Sequence, residues 1–195
     1  MREARRSCAS GLEVEHRVIV GQHTVIRSAE PDDAPDLLRI YDVERPRCCL
    51  LDGRREFIIP TLDELREVMA QKEMGRNLLY AVEDKQGGVR GFCSLRGVNL
   101  EASFMETVLM FHDDADLDTP LADEAFAFLT QHAFVRLKLN KLLAYILDTE
   151  EALRRFLLAH GFQSHGVQRE IVFWRGGWHN IEAFSLFRTG SASPT

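Results

Sequence analysis

The chain predicts a mixed α/β fold, a single domain whose one mostly antiparallel sheet is flanked by helices. Three observations carry this. Residues 112–138 place Leu121, Ala125, Phe128, Leu129, Ala133 and Leu137 at helical spacing. Residues 78–111 break into strand-like runs separated by turn chemistry. Residues 141–147, KLLAYIL, are nearly continuously apolar, the pattern of a strand covered on both faces.

In order, residues 24–27 alternate as a first strand, and SAEPDDAPDLLRIYDV follows with the Pro and Asp residues that start a helix. Leu37, Leu38, Ile40 and Tyr41 supply its apolar face. Residues 45–57 are irregular and hold Arg45, Arg47, Arg54 and Arg55, a solvated loop or else an anion or partner contact. Thr61 and Glu64 form a capping box that opens a second helix, with Leu62, Leu65, Val68 and Met69 on its buried side. Strands are expected at 78–83, 89–98 and 103–111, the first two joined through a Gly-rich turn at 84–88. Beyond the central helix and the strand at 141–147, Asp148 and Glu151 are expected to cap a helix that Gly161 ends, with Phe162 packed behind it. Two closing strands, 163–175 and 179–188, are joined at Gly176–Gly177.

At 195 residues, 45% hydrophobic and 28% charged, the chain can bury one good core and needs no second domain. The expected domain is 23–188, between tails at 1–22 and 189–195 that are expected to be disordered. A formal charge of −6 without a basic cluster argues against nucleic acid, and no apolar window approaches a membrane span. Cys8, Cys48, Cys49 and Cys93 form no CxxC pair or metal spacing, so they are read as reduced thiols of a cytoplasmic protein. No metal is expected. Asp114, Asp116 and Asp118 are spaced like calcium ligands, but Thr119 replaces the turn glycine and Ala125 the bidentate Glu. His160 and His165 lack a third zinc ligand.

The junction before the central helix draws attention because strand, loop and helix start is the arrangement that holds a phosphate: the first N–H groups of a helix are unpaired and face the positive end of its dipole. Here Asp113, Asp114, Asp116 and Asp118 precede the helix and Asp123 and Glu124 lie in its first turn, while no Lys or Arg occurs between Arg96 and Arg136. Each carboxylate would repel a diphosphate ~8 Å away by roughly 0.5 kcal/mol in water.

Three motifs carry a resemblance: LAYIL-D-T-x-x-A-x-R-x-x-x-x-x-x-G-F over 143–162, G-V-x-R-E over 166–170, and F-W-R-G-x-W-H over 173–179. In combination the chain resembles the GNAT N-acetyltransferase superfamily, in its branch similar to ribosomal-protein N-terminal acetyltransferases, over about residues 24–188. The resemblance implies splayed central strands and acetyl transfer from acetyl-coenzyme A to an amine, of a small molecule or a protein. It implies that the pantetheine lies in the gap beside Met110 and Phe111, and that the diphosphate meets a loop falling on Leu117, Asp118, Thr119, Pro120, Leu121 and Ala122. That loop departs from the family pattern: Leu117 stands for the cation and Pro120 for the central glycine, and only Ala122 fits. In the next helix Glu150 and Leu153 stand where this branch carries Asn and Ser beside the cofactor, and Leu157 where other branches carry an acid Tyr.

Three readings stay open: an active N-acetyltransferase with an altered hold on coenzyme A, a fold that has lost coenzyme A and serves as a binding or regulatory module, or an enzyme whose acyl donor lacks a diphosphate. Amine attack on a thioester needs a proton acceptor. Glu106 is the best-placed carboxylate, although an outward-facing strand residue reads the same way. Trp174 and Trp178 are expected to pack on the sheet more than to roof an acceptor pocket, and His179 to lie at the surface. A homodimer is admissible, but no isolated feature requires it.

Overall fold

The computed structural model describes residues 18–41, 59–70, 78–99 and 102–188. Along them run β1 (Val18–Val20), β2 (Thr24–Ser28), α1 (Ala34–Leu38), α2 (Leu62–Ala70), β3 (Leu78–Asp84), β4 (Val89–Asn99), β5 (Phe104–Phe111), α3 (Pro120–Gln131), β6 (Lys141–Leu147), α4 (Glu151–Ala159), β7 (Gln163–Trp174) and β8 (Gly177–Phe187). The eight strands make one sheet in the order β1-β2-β3-β4-β5-β6-β8-β7. Neighbours pair antiparallel except β5 and β6, which are parallel. The arginine-bearing segment 45–57 lies outside the described residues, as do Cys8, Cys48 and Cys49 and both ends of the chain. Val18–Val20 falls within the expected N-terminal tail and instead pairs with β2. No helix among the described residues is long and apolar enough to cross a membrane.

Side-chain alternation along β5 explains the layering. Met105, Leu109 and Phe111 join the core beneath α3 and α4, with Ala125, Leu129 and Phe156. Val108 and Met110 point the other way, against Ala34, Leu37, Ile40, Leu65 and Met69 of the α1–α2 layer. A strand with apolar neighbours on both faces reads as an unbroken apolar run. The run at 141–147 has a different cause. Leu142, Ala144 and Ile146 are buried under α3 and α4, but Lys141, Leu143 and Tyr145 are only half-buried. The α1–α2 layer packs on residues of β3, β4 and β5, so the matching face of β6, β8 and β7 stays more open than the sequence suggested.

Caps and turns follow local chemistry. The Thr61 amide donates to Glu64 at 2.7 Å and the Glu64 amide to Thr61 Oγ1 at 3.2 Å, the expected capping box. Gly161 takes a left-handed φ of 85°, and the Phe162 amide closes back on the Leu157 carbonyl at 3.0 Å with its ring buried. The last hairpin turns one residue earlier than expected: Arg175 (φ 50°) and Gly176 (φ 80°) form the two-residue turn, and Gly177 already pairs with Trp174. The expected first helix is a 3-10 turn, Pro31–Asp33, running into the short α1. Its start is held by Asp33, whose two oxygens each accept from Arg27 at 2.7 Å. The central helix passes into a π-helical turn at His132–Arg136, where the Leu137 amide reaches the His132 carbonyl at 2.9 Å.

Candidate active site

The two parallel strands pair on three rungs only: Phe104 with Lys141, Met105 with Leu142, and Glu106 with Leu143. Beyond Glu106 each keeps its other neighbour. β5 stays zipped to β4 up to Phe111 opposite Gly91, and β6 to β8 up to Leu147 opposite Ile181. The sheet therefore forks between residues 107–111 and 144–147. Along the facing edges the two strands no longer bond each other, and at Leu147 the Glu150 side chain and amide take over. An extended ligand that carries amides can lie between the two strands.

A cavity of about 220 Å³ opens at the mouth of the fork, lined by Ile40, Leu109, Met110, Phe111, Asp114, Leu117, Thr149, Glu150, Glu151, Ala152 and Leu153. Of the residues expected at the cofactor, Met110, Phe111, Leu117 and Glu150 meet here; Asp118, Thr119, Pro120, Leu121 and Ala122 do not line it. Leu109 and Ile40 were missed, although the period of β5 and the apolar face of α1 contain them. Leu117, aligned with a cation, is 7% exposed and belongs to the core. Glu150 closes the wall of the fork: its Oε2 accepts from the Leu147 amide at 2.8 Å while its own amide donates to the Leu147 carbonyl at 3.0 Å. Asp148, expected as a helix cap, instead accepts from His179 Nδ1 (3.1 Å), the Asn180 amide (3.1 Å) and Asn180 Nδ2 (2.9 Å), tying the end of β6 to the start of β8. Burial works against its charge, but these bonds outweigh it and hold the Asp148 carboxyl below the usual range. Trp178, expected to pack on the sheet, is 62% exposed beside Phe173.

The acidic junction is a 3-10 turn, Asp114–Asp118, that leads into α3. Its carboxylates are not stacked in a common niche. Asp113 accepts from the Ala115 amide at 2.9 Å. Arg90, arriving from β4, meets Asp116 at 2.8 Å; Arg155 from α4 comes within 3.7 Å of Asp118; and His160 Nε2 lies 3.1 Å from Asp123. Glu124 turns away to the β1–β2 turn, accepting from the His23 amide (2.9 Å), the Thr24 amide (3.0 Å) and Thr24 Oγ1 (2.7 Å). The chain-local absence of cations is thus offset by partners from other elements. For an anion the helix start remains poorly equipped. Pro120, its first residue, has no N–H, and the Ala122 amide is spent on the Thr119 carbonyl at 3.1 Å.

Glu106 sits on the last paired rung, where the fork begins, on the face opposite α3 and α4. Arg96, its cross-strand partner, donates to it at 2.6 Å, and both side chains are 25% exposed. Glu106 is outside the mouth cavity and lies deeper, toward the closed end of the fork.

The fork fits the arm of a coenzyme A thioester: two strand edges that part from each other and a cavity at the mouth with apolar side chains from both sides. Comparison with known proteins agrees on the architecture. Residues 23–163 match the model of the acetyltransferase (GNAT) domain. No curated protein matches the sequence. Among solved structures, spermidine N-acetyltransferase from Vibrio cholerae, in complex with CoA and spermine, is similar with a TM-score of 0.72 at 17% identity, covering 86% of this chain and 96% of that one. A crystal structure described as that of a probable acetyltransferase matches with a TM-score of 0.71 at 20% identity, over 88% and 97% of the two chains. With the family model spanning well over half of its length and the forked sheet in place, the chain belongs to the GNAT acetyltransferase family.

Proposed function

We propose that this protein is an N-acetyltransferase that moves an acetyl group from acetyl-coenzyme A to an amine. The observation that carries the reading is the parting of β5 and β6 after the Glu106–Leu143 rung, with a cavity at its mouth. Acetyl-coenzyme A supplies an activated acyl carbonyl and a thiolate leaving group. Leu109, Met110, Phe111 and Leu117 on one side, and Thr149 and Leu153 on the other, would hold the arm and exclude water.

The chain's share of the chemistry is then orientation and a proton. An amine attacks only when neutral, so a base near the closed end of the fork must take its proton, directly or through water. Glu106 suits this task by position: it is the last residue before the strands part and lies on the more open face, away from α3 and α4. Arg96 at 2.6 Å fixes the carboxylate's orientation. The acceptor is a small-molecule or protein amine. Because a structural neighbour acetylates spermidine, polyamines head the panel to test.

Isothermal titration decides the reading. Micromolar binding of acetyl-coenzyme A, with thiol release on adding an amine, is the expected result; no heat at millimolar ligand overturns it. The 117–122 turn gives binding a second signature. With few free amides and no cation of its own, it should contribute little, so affinity should depend weakly on salt compared with a cationic loop.

A further inference from the structure

The described residues hold three buried side-chain polar atoms without a hydrogen-bond partner: Ser94 Oγ, Arg96 Nε and Thr107 Oγ1. All three lie on consecutive rungs of the β4–β5 ladder, Ser94 opposite Val108, Leu95 opposite Thr107 and Arg96 opposite Glu106, the level at which β5 parts from β6. Buried hydroxyls are normally paired, and clustering of the exceptions at one level of one ladder asks for a cause.

Topology separates the three. Ser94 is on a strand paired along both edges and shares the face of Val108, against the α1–α2 layer and away from the edge where β5 leaves β6. Arg96 is engaged with Glu106 through its Nη2. Thr107, only 4% exposed, is the first residue of β5 past the last rung shared with β6, on the face toward α3 and α4. The edge of β5 that no longer pairs with β6 starts at this residue, two residues deeper than Leu109, the innermost β5 residue that lines the cavity. An extended ligand laid along that edge from the mouth would bring its inner end toward Thr107.

Resting on the reading of the fork as a thioester site, we propose that Thr107 is the residue that recognises the acyl group, its hydroxyl donating a hydrogen bond to the carbonyl oxygen of the bound thioester. The hydroxyl has one proton to give and no acceptor among the described residues; the acyl oxygen is an acceptor that the thioester would deliver to the closed end of the fork. That bond orients the carbonyl for attack from the Glu106 side and distinguishes an acylated donor from the free thiol.

The test is Thr107→Val, which keeps the shape and removes the hydroxyl, beside Thr107→Ser, which keeps the hydroxyl. Acetyl-coenzyme A and coenzyme A are titrated against each, with a melting curve for every variant. Expected for Thr107→Val is acetyl-coenzyme A affinity lowered about tenfold with coenzyme A affinity unchanged, and a melting temperature equal to or above wild type, because an unpaired buried hydroxyl has been removed. Thr107→Ser should retain the preference for the acetylated form. Equal loss for both ligands with a lower melting temperature would mark a packing role and overturn the proposal, as would wild-type discrimination in Thr107→Val. Wild-type protein that binds neither ligand removes the thioester reading itself, and the role of Thr107 with it.

Discussion

The fork between β5 and β6 and the 113–119 turn above it are consecutive in the chain and follow different rules. The fork is built by omission: two strands hold their outer neighbours and release each other after three rungs, leaving apolar side chains around edges that no longer pair with one another. The turn is built by commitment, with Asp113, Asp116 and Asp118 each given a partner, two of them arginines from β4 and α4. A carboxylate 2.8 Å from a guanidinium acts at a distance as a dipole rather than a charge, so the field over the turn is weaker than a count of aspartates implies. The teaching is that changes in the fork should act on catalysis and folding, whereas changes in the turn should act mildly on affinity.

The strongest test of that contrast is Glu106→Gln. It keeps the shape of the side chain and a polar contact for Arg96 but removes the proton acceptor, so turnover should fall about 100-fold while acetyl-coenzyme A affinity holds. Steady-state rates beside a direct binding titration separate the two. Unchanged turnover at neutral pH would leave Glu106 with the ordinary role of a strand residue.

Next is Gly91, whose added Cβ would stand 2.2 Å from the Met110 carbonyl oxygen and 2.8 Å from Phe111 Cα. Both contacts are backbone, on the strand that forms one wall of the fork, so they cannot be relieved by a rotamer change. Gly91→Val should cost roughly 3 kcal/mol and displace the end of β5. Urea unfolding gives the first quantity, and loss of donor binding in the still-folded fraction gives the second.

How much of this was legible in the sequence depends on the range of the contacts. The Thr61–Glu64 box and the Gly161 stop are local, and their residues announce them. The fork is legible only through family resemblance, because nothing in the periodicity of 104–111 or 141–147 says where two parallel strands cease to pair. Both runs are apolar for different reasons, one covered on two faces and the other half-open on one. Arg90 and Arg155 lie 26 and 37 positions from the aspartates they meet, beyond any local charge count. Thr107 carried no signal, since threonine in a strand reads as ordinary β-propensity until its missing partner is seen.

On the turn itself, Arg90→Met leaves Asp116, whose side chain is 10% exposed, without its cation. Arg90 is 44% exposed, so solvent already screens the pair and the loss should be only about 1 kcal/mol by urea unfolding. A loss as large as that of Gly91→Val would show the turn to be as structural as the fork and erase the contrast.

A smaller effect is expected at the wall of the fork as pH falls. The folded-state value of Asp148 lies below that of an unfolded aspartate, about 3.9, so its bonds to His179 and Asn180 add stability above that pH and lose it as acid protonates the carboxyl. Melting temperature between pH 5 and pH 3 should drop less steeply in Asp148→Asn than in wild type. Parallel slopes would remove Asp148 from the acid response.

The mildest change bears most directly on the turn's electrostatics. Asp114 lines the cavity mouth and is exposed, so a diphosphate lying there would feel its charge through water. One charge at ~8 Å in that medium amounts to roughly 0.5 kcal/mol, so Asp114→Asn should tighten acetyl-coenzyme A about twofold at low ionic strength. Raising salt to 0.5 M shortens the screening length well below that separation, and the difference between variant and wild type should vanish. The same titration with a truncated thioester lacking the nucleotide diphosphate should show no effect of Asp114→Asn at any salt. If the truncated donor gains as much as the full one, the carboxylate is acting on the arm within the fork, and the boundary between the two regions lies lower than Phe111.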